Sequence, residues 1–318
     1  MENKEFKIVF MGTPEFAVAT LEGLNKNGYD LVGVVTAPDR PAGRGQKIKQ
    51  SAVKEYSVEN ELHTMQPENL KDESFVRELT ALKADLFVVV AFRMLPKMVW
   101  SIPSKGTINL HGSLLPQYRG AAPINWAVIN GEQETGVTTF FIDEKIDTGD
   151  MIQQQTIPIT ENMTAGELHD TMMQVGANLL VKTVSDIKND NISTKKQDFS
   201  SDLKHAPKIY RKDCKIDVSQ GVREVHNLIR GMSPYPAAWL SIENAKGQSK
   251  SLKLFKSKIE TNETGGTVGL YTKENQLFLR LNDGVLKILV VQLEGKKKMD
   301  SDQLLTGYKP EDWSIIID

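Results

Sequence analysis

The chain has 318 residues, 40% hydrophobic and 25% charged, with a formal net charge of −2, which excludes a disordered or collagen-like chain and leaves a globular protein long enough for two domains. One cysteine, Cys214, excludes an intramolecular disulfide and a multi-cysteine metal cage. The opening MENKEFKIVFMG is too acidic, and its apolar run too short, for a signal peptide. The longest apolar run, Asp85–Phe92, is strand-sized, so a cytoplasmic location is expected.

In chain order, Lys7–Met11 reads as a buried strand and Gly12-Thr13-Pro14 as a turn into a helix, with Thr13 as its cap and Pro14 in its first turn. Further strands are expected at Leu31–Thr36, Leu86–Phe92, Thr107–His111 and Gly136–Ile142, with a helix over Glu68–Lys83 and a long amphipathic one over Thr164–Lys188. Strands separated by helices imply a parallel-rich α/β sheet covered on both faces. Residues 189–208 are polar, lack an apolar period and read as a linker between a domain over 1–188 and another over 209–318. In the second domain a short helix around Val218–Arg230 precedes alternating runs at Leu252–Phe255, Gln276–Leu281 and Val285–Val291. Asp283-Gly284 between the last two is a hairpin signal, so antiparallel strands forming a small barrel are expected. Residues 204–318 carry 19 Lys and Arg against 14 Asp and Glu, whereas 1–203 carry 20 against 27; a basic second half hints at a polyanionic partner.

The first turn, Gly12-Thr-Pro-Glu-Phe16, lacks the G-x-G-x-x-G spacing. Pro14 removes an amide donor and Glu15 adds negative charge, so a nicotinamide oxidoreductase is disfavoured. There is no P-loop pattern, and histidines at 63, 111, 169, 205 and 226 are too scattered for a metal motif, so no metal is expected. The chemistry points instead to Asn109-Leu-His-Gly-Ser-Leu-Leu-Pro116 and Asp147-Thr-Gly-Asp150. Alternate strand residues face one side, so Asn109 and His111 project together, and Gly112 ends the strand where open parallel sheets keep their ligand crevice. An amide donor beside an imidazole suits the oxyanion formed when a nucleophile attacks a carbonyl, and a nearby carboxylate would orient the ring.

These two motifs resemble the signature of folate-dependent formyltransferases that act on amines. The resemblance implies a Rossmann-like domain that binds formyl-folate, with Asn109, His111 and Asp147 as the catalytic trio and 10-formyltetrahydrofolate as formyl donor. It also implies that Phe92, Leu95, Ser113, Leu114, Leu115 and Pro116 line the folate site. Members of the family read Ala-Tyr-Gly where this chain has Ala91-Phe-Arg93, so Phe92 keeps the aromatic ring and Arg93 puts a long cation where glycine is usual.

Three further segments resemble the methionyl-tRNA formyltransferase branch: Met11–Ala17, Asp39–Lys49 with Ser51–Lys54, and Pro234-Tyr-Pro-Ala-Ala-Trp239. That branch implies methionyl-initiator tRNA as acceptor, an OB-like carboxyl-terminal barrel that meets the tRNA, and a monomer without membrane attachment. Arg40, Arg44, Lys47 and Lys49, with no carboxylate after Asp39 and with Gly43 and Gly45 for pliancy, form a loop able to order on a phosphate backbone. Lys296, Lys297 and Lys298 form a second cationic turn placed to touch the tRNA shaft. The rival readings are a nucleotide-sugar formyltransferase and a non-catalytic tRNA-binding protein, and a formyl-transfer assay over several acceptors separates them.

Overall fold

The computed structural model describes residues 6–42, 47–199, 202–260 and 266–316. In chain order it contains β1 (Lys7–Gly12), α1 (Glu15–Lys26), β2 (Asp30–Val35), β3 (Arg40–Ala42), β4 (Lys47–Lys49), α2 (Ala52–Glu59), β5 (Thr64–Met65) and α3 (Glu73–Ala81). There follow β6 (Leu86–Val90), α4 (Lys97–Trp100), β7 (Thr107–His111), β8 (Arg119–Gly120), α5 (Pro123–Ile129), β9 (Glu134–Phe141), β10 (Met151–Pro158) and α6 (Ala165–Lys188). The remainder is β11 (His205–Ala206), α7 (Val222–Gly231), β12 (Ala238–Asn244), β13 (Ser249–Glu260), β14 (Gly269–Lys273), β15 (Gln276–Arg280), β16 (Val285–Leu293), β17 (Met299–Asp300), α8 (Ser301–Leu305) and β18 (Trp313–Ile315). Two compact units divide the chain: Met1–Gly120, Gly136–Ile157 and His169–Lys204 form the first, and Ala121–Thr135, Pro158–Leu168 and His205–Asp318 the second.

The first unit holds a seven-stranded sheet in the order β10-β9-β7-β6-β1-β2-β5. Strands β2, β1, β6 and β7 run parallel to one another, and β9 runs antiparallel to β7. All five residues of β6 are buried, as expected of a parallel strand covered on both faces. On one face Val9, Met11, Phe87 and Val89 pack against Phe75 and Leu79 of α3. On the other, Leu110 reaches Gly176 of α6, where an added Cβ would lie 2.9 Å from Leu110 Cδ2.

The chain leaves β1 for β2 on one side and returns through β6 on the other, so strand order reverses between β1 and β6. Crevices of doubly wound sheets open at such a point, beyond the carboxyl ends of the strands. Gly12, Val90 and His111 are the last residues of β1, β6 and β7. A Cβ at Gly12 would sit 2.6 Å from Ala17 Cβ and 2.8 Å from the Phe10 ring, so this turn into α1 admits only glycine.

Local chemistry corrects two expectations. Thr13 does not cap α1: Pro14 occupies the cap position and no side chain caps the helix. The helix expected over Glu68–Lys83 is limited to α3, because Asp72 Oδ1 accepts the Ser74 and Phe75 amides at 2.9 and 3.2 Å and starts it there.

The second unit is an antiparallel sheet in the order β14-β15-β16-β13-β12-β18, whose end strands β14 and β18 approach each other, giving a nearly closed barrel. The Asp-Gly hairpin forms with Arg280 opposite Val285. Asp283 in that turn also accepts the Val222 amide at 2.8 Å, which is why α7 starts at Val222 rather than Val218. Val225 and Ile229 of α7 share a buried core with Leu252 and Leu254 of β13 and Ile288 and Val291 of β16. Among the described residues no helix is long and apolar enough to cross a membrane.

Candidate active site

Asn109 and His111 lie on the same face of β7, in the register that sets Asn109 beside Val89 of β6 and Phe140 of β9. The two side chains are in different states. His111 is 7% exposed, and its Nε2 lies 2.9 Å from the Tyr118 carbonyl oxygen. A carbonyl only accepts, so Nε2 carries the proton and donates. In the neutral ring Nδ1 therefore holds a free lone pair. Asn109 is half-buried, and its side-chain amide makes no hydrogen bond among the described residues.

Asp147 lies in the turn between β9 and β10, with φ of 55°. Its Oδ2 is 3.8 Å from His111 Nδ1 and accepts the Gly120 amide at 3.1 Å. Both side chains are largely withdrawn from water, at 9% exposure for His111 and 14% for Asp147, so their mutual field is weakly screened. At 3.8 Å the separation is longer than a hydrogen bond, and a proton on Nδ1 would face the carboxylate.

The turn is held from several sides. Asp143 Oδ1 accepts from the Lys145 amide at 3.0 Å and from the Thr148 hydroxyl at 2.7 Å. Gly149 passes so close to β9 that a Cβ there would lie 1.7 Å from the Phe141 carbonyl oxygen. Gln197 donates to the carbonyls of Asp147 and Gly149 at 3.0 and 2.8 Å and accepts from Arg119 Nε at 3.2 Å, with a second contact from Nη2. The Arg119 guanidinium lies 4.3 Å from the Phe199 ring centroid. Sequence reading assigned no role to Gln197 or Phe199, because they sit in the polar stretch read as linker. In the first unit Gln197 is laid against the Asp147 turn and is 5% exposed.

The residues expected to line the folate site are placed variously. Phe92, half-buried just beyond β6, packs at the edge of the first unit's core, and Leu95 lies within that core at 6% exposure. The Ser113 hydroxyl donates to the Gln117 carbonyl at 2.6 Å and closes a turn. Leu115 is buried beside Phe140 and Met151, with its amide donating to Thr138 Oγ1 at 3.1 Å and its carbonyl accepting from Gln154 at 2.9 Å. Leu114 lies over Gly136, and Pro116 is half-buried. Arg93 does not project freely: its guanidinium donates to the Pro67 and Glu68 carbonyls and lies 5.5 Å from the Phe92 ring. Burial, with Arg40 nearby, lowers its pKa below the ordinary arginine value.

Of the expected phosphate-binding cations, Arg40 and Lys49 are exposed and sit directly opposite each other in the β3–β4 ladder. Arg44 lies outside the described residues, as does the side chain of Lys47. Lys296, Lys297 and Lys298 are exposed in the turn between β16 and β17, with Lys298 Nζ 4.4 Å from the Phe255 ring. Among the described residues no group of three or more His, Cys, Asp or Glu could hold a metal ion.

Comparison with known proteins places the whole chain. The chain is 52% identical over 305 residues to a methionyl-tRNA formyltransferase of Flavobacterium johnsoniae, covering 96% of both chains. It is 48% identical over 315 residues to a methionyl-tRNA formyltransferase of Bacteroides fragilis, covering 97% of both. Among solved structures, an N-formyltransferase from Helicobacter canadensis in complex with folinic acid and dTDP-3-aminofucose superposes with a TM-score of 0.63 at 25% identity, covering 92% of this chain and all of that one. Residues 6–184 match the formyl transferase family and residues 208–309 its carboxyl-terminal domain. With both family regions matched, the chain belongs to the formyl transferase family.

Proposed function

We propose that this protein transfers the formyl group of 10-formyltetrahydrofolate to the α-amino group of methionyl-initiator tRNA, giving formylmethionyl-tRNA for translation initiation. The observation that carries the acceptor assignment is the end-to-end similarity, near half of all positions, to relatives that bear that activity's name. The folinic acid held by the Helicobacter canadensis relative supports a reduced folate as donor. On this reading residues 1–188 form the catalytic domain, 189–208 connect it, and 209–318 form a tRNA-binding OB-like barrel in a cytoplasmic monomer.

The residues fit the donor. Phe92 and Leu95 follow β6 at the same sheet edge as His111, offering an aromatic ring and an apolar wall to a pterin, with Ser113 to Pro116 shaping the floor. The folate supplies an electrophilic formyl carbon. The attacking amine needs no covalent relay, because an α-amino group of pKa about 7.7–8.0 has a useful neutral fraction near neutral pH. The unengaged Asn109 amide donates to the formyl oxygen as negative charge develops there. His111 contributes through Nδ1, since Nε2 is committed to Tyr118. Unprotonated Nδ1 takes the amine proton as the new C–N bond forms; the resulting Nδ1–H donates to the oxyanion and then passes its proton to N10 of the folate as the C–N10 bond breaks and tetrahydrofolate leaves. Asp147 stabilises the charged ring and keeps its orientation. Arg40, Arg44, Lys47, Lys49 and Lys296 to Lys298 supply phosphate contacts for the acceptor.

The test is formyl transfer from 10-formyltetrahydrofolate to methionyl-tRNA, free methionine and amino-sugar nucleotides in parallel. Transfer to methionyl-tRNA at least a hundredfold more efficient than to the others is expected. Preference for an amino sugar, or no transfer at all, would overturn the assignment.

A further inference from the structure

Arg93 stands where the family usually has glycine, and none of the roles above uses it. It spans a groove of about 820 Å³ in the first unit, with Glu68 to Lys71 on one side and Arg93 to Met98 on the other. Leu70 and Leu95, one from each wall, are buried in the first unit's core. Across the groove Arg93 Nη1 donates to the Glu68 carbonyl at 2.8 Å, and Nη2 donates to the Pro67 carbonyl. A planar guanidinium presents its N–H groups in a fixed fork, so it holds two successive carbonyls at once. An ammonium on a flexible stem does not.

The gripped carbonyls adjoin the residue that seats the β3–β4 hairpin. Gln66 Nε2 donates to the Ala37 carbonyl and to Asp39 Oδ1, each at 2.8 Å. Asp39 immediately precedes β3, and its Oδ2 accepts from Lys54 Nζ at 2.6 Å. The other foot is tied as well: Ser51, two residues beyond β4, meets the Thr36 hydroxyl at 2.7 Å and accepts the Lys54 amide at 3.0 Å. Arg93 therefore ends a run of bonded groups that reaches from the Phe92–Leu95 segment, through residues 66–68, to Asp39 and Arg40. On the reading above, the two ends meet different ligands: a pterin at Phe92 and Leu95, tRNA phosphates at Arg40 and Lys49. Arg40 also lies close enough to repel the Arg93 charge. A phosphate at Arg40 would offset that repulsion, and a pterin packed on Phe92 would fix the backbone that carries Arg93. Both ligands thus favour the same seated position of Arg93, which is what coupling between two sites requires.

We infer that Arg93 is a positioning residue that couples donor binding to acceptor binding, its guanidinium passing the order of the folate-side segment to the seat of the β3–β4 hairpin. The inference rests on the donor and acceptor proposed above. Bound folate then raises the affinity for methionyl-tRNA, and bound methionyl-tRNA raises the affinity for folate by the same factor.

The test measures the dissociation constant of methionyl-tRNA for the full chain, with and without saturating tetrahydrofolate, which carries the pterin but no formyl group. Tetrahydrofolate should tighten methionyl-tRNA binding about tenfold in the parent. In Arg93→Gly and Arg93→Lys that factor should fall to about two or less, because neither side chain holds both carbonyls. Gln66→Ala, at the other end of the run, should reduce it likewise with Arg93 in place, so the result does not hang on one variant folding well. Each ligand should still bind alone, and turnover at saturation with both substrates should stay near the parental value, since Asn109, His111 and Asp147 are untouched. A purely structural role for Arg93 would lower the melting temperature and leave the factor alone. A factor of one in the parent, or a parental factor in the Arg93 variants or in Gln66→Ala, would overturn the inference. The transfer assay above keeps the two readings apart: efficient transfer to methionyl-tRNA without coupling sinks the role of Arg93 alone, whereas failed transfer removes the acceptor assignment itself.

Discussion

Replacing Gln197 by alanine removes the side chain that ties the Asp147 turn to Arg119. Its amide donates to the Asp147 and Gly149 carbonyls at 3.0 and 2.8 Å, and its oxygen accepts from Arg119. At 5% exposure little water can replace these bonds. Each bond contributes about 1 kcal/mol net, and a buried group left unpaired costs about 1–3 kcal/mol, so a loss of about 2–4 kcal/mol from the first unit is expected. That is a large share of a stability of about 5–15 kcal/mol, but not all of it. The catalytic effect has a separate cause. Freed carbonyls let the turn drift, and a displacement near 1 Å of Asp147 from His111 costs up to about 100-fold in rate. Single-turnover transfer with bound methionyl-tRNA should therefore slow about 10- to 100-fold. The KM for the folate should change far less, because Phe92 and Leu95 are untouched. Gln197→Glu is the discriminating control: it can still accept from Arg119 but cannot donate to the two carbonyls. It should be no faster than the alanine variant. If both variants melt earlier yet transfer at the parental rate, the position of Asp147 does not govern the reaction.

Other outcomes follow from the same geometry. Asn109→Ala should lower turnover about 10²–10³-fold, as loss of an oxyanion donor does. Its melting temperature should barely move, since that amide makes no bond among the described residues; rate assays and calorimetry read the two effects. Gly149→Ala forces a Cβ onto the Phe141 carbonyl and should abolish transfer while methionyl-tRNA still binds, as a filter-binding assay would reveal. Arg40→Ala and Lys49→Ala should each reduce the dependence of log affinity on log salt by about 0.7–0.9. His226 is neutral in the fold, its pKa lowered chiefly by burial, with Nε2 donating to the Glu161 carbonyl at 3.3 Å and Nδ1 accepting from Ser257 at 2.9 Å. Because its folded pKa lies below the unfolded value, its stabilisation is complete above about pH 6.5 and declines as pH falls below it. His226→Gln should flatten that decline in denaturant titrations between pH 8 and 5.

What the amino-acid order determined was whatever depends on near neighbours. Alternation put Asn109 and His111 on one face of β7, five consecutive apolar residues buried β6, and Asp283-Gly284 closed its hairpin. The same local patterns missed β10, the short strand β14 and the β3–β4 pairing, because those strands are short or lack clean alternation and are fixed by partners in the sheet. Only the tertiary structure decided which nitrogen of His111 is committed, since the Tyr118 carbonyl reaches it through a turn that no periodicity describes. Only packing could promote Gln197 from a polar stretch to a brace for the Asp147 turn, because hydrogen bonds spanning 48 and 50 residues leave no mark on the sequence around either end. Arg93 teaches the same lesson in reverse: a long cation in place of glycine looks intrusive along the chain, yet the carbonyls of Pro67 and Glu68, 26 and 25 residues away, receive it.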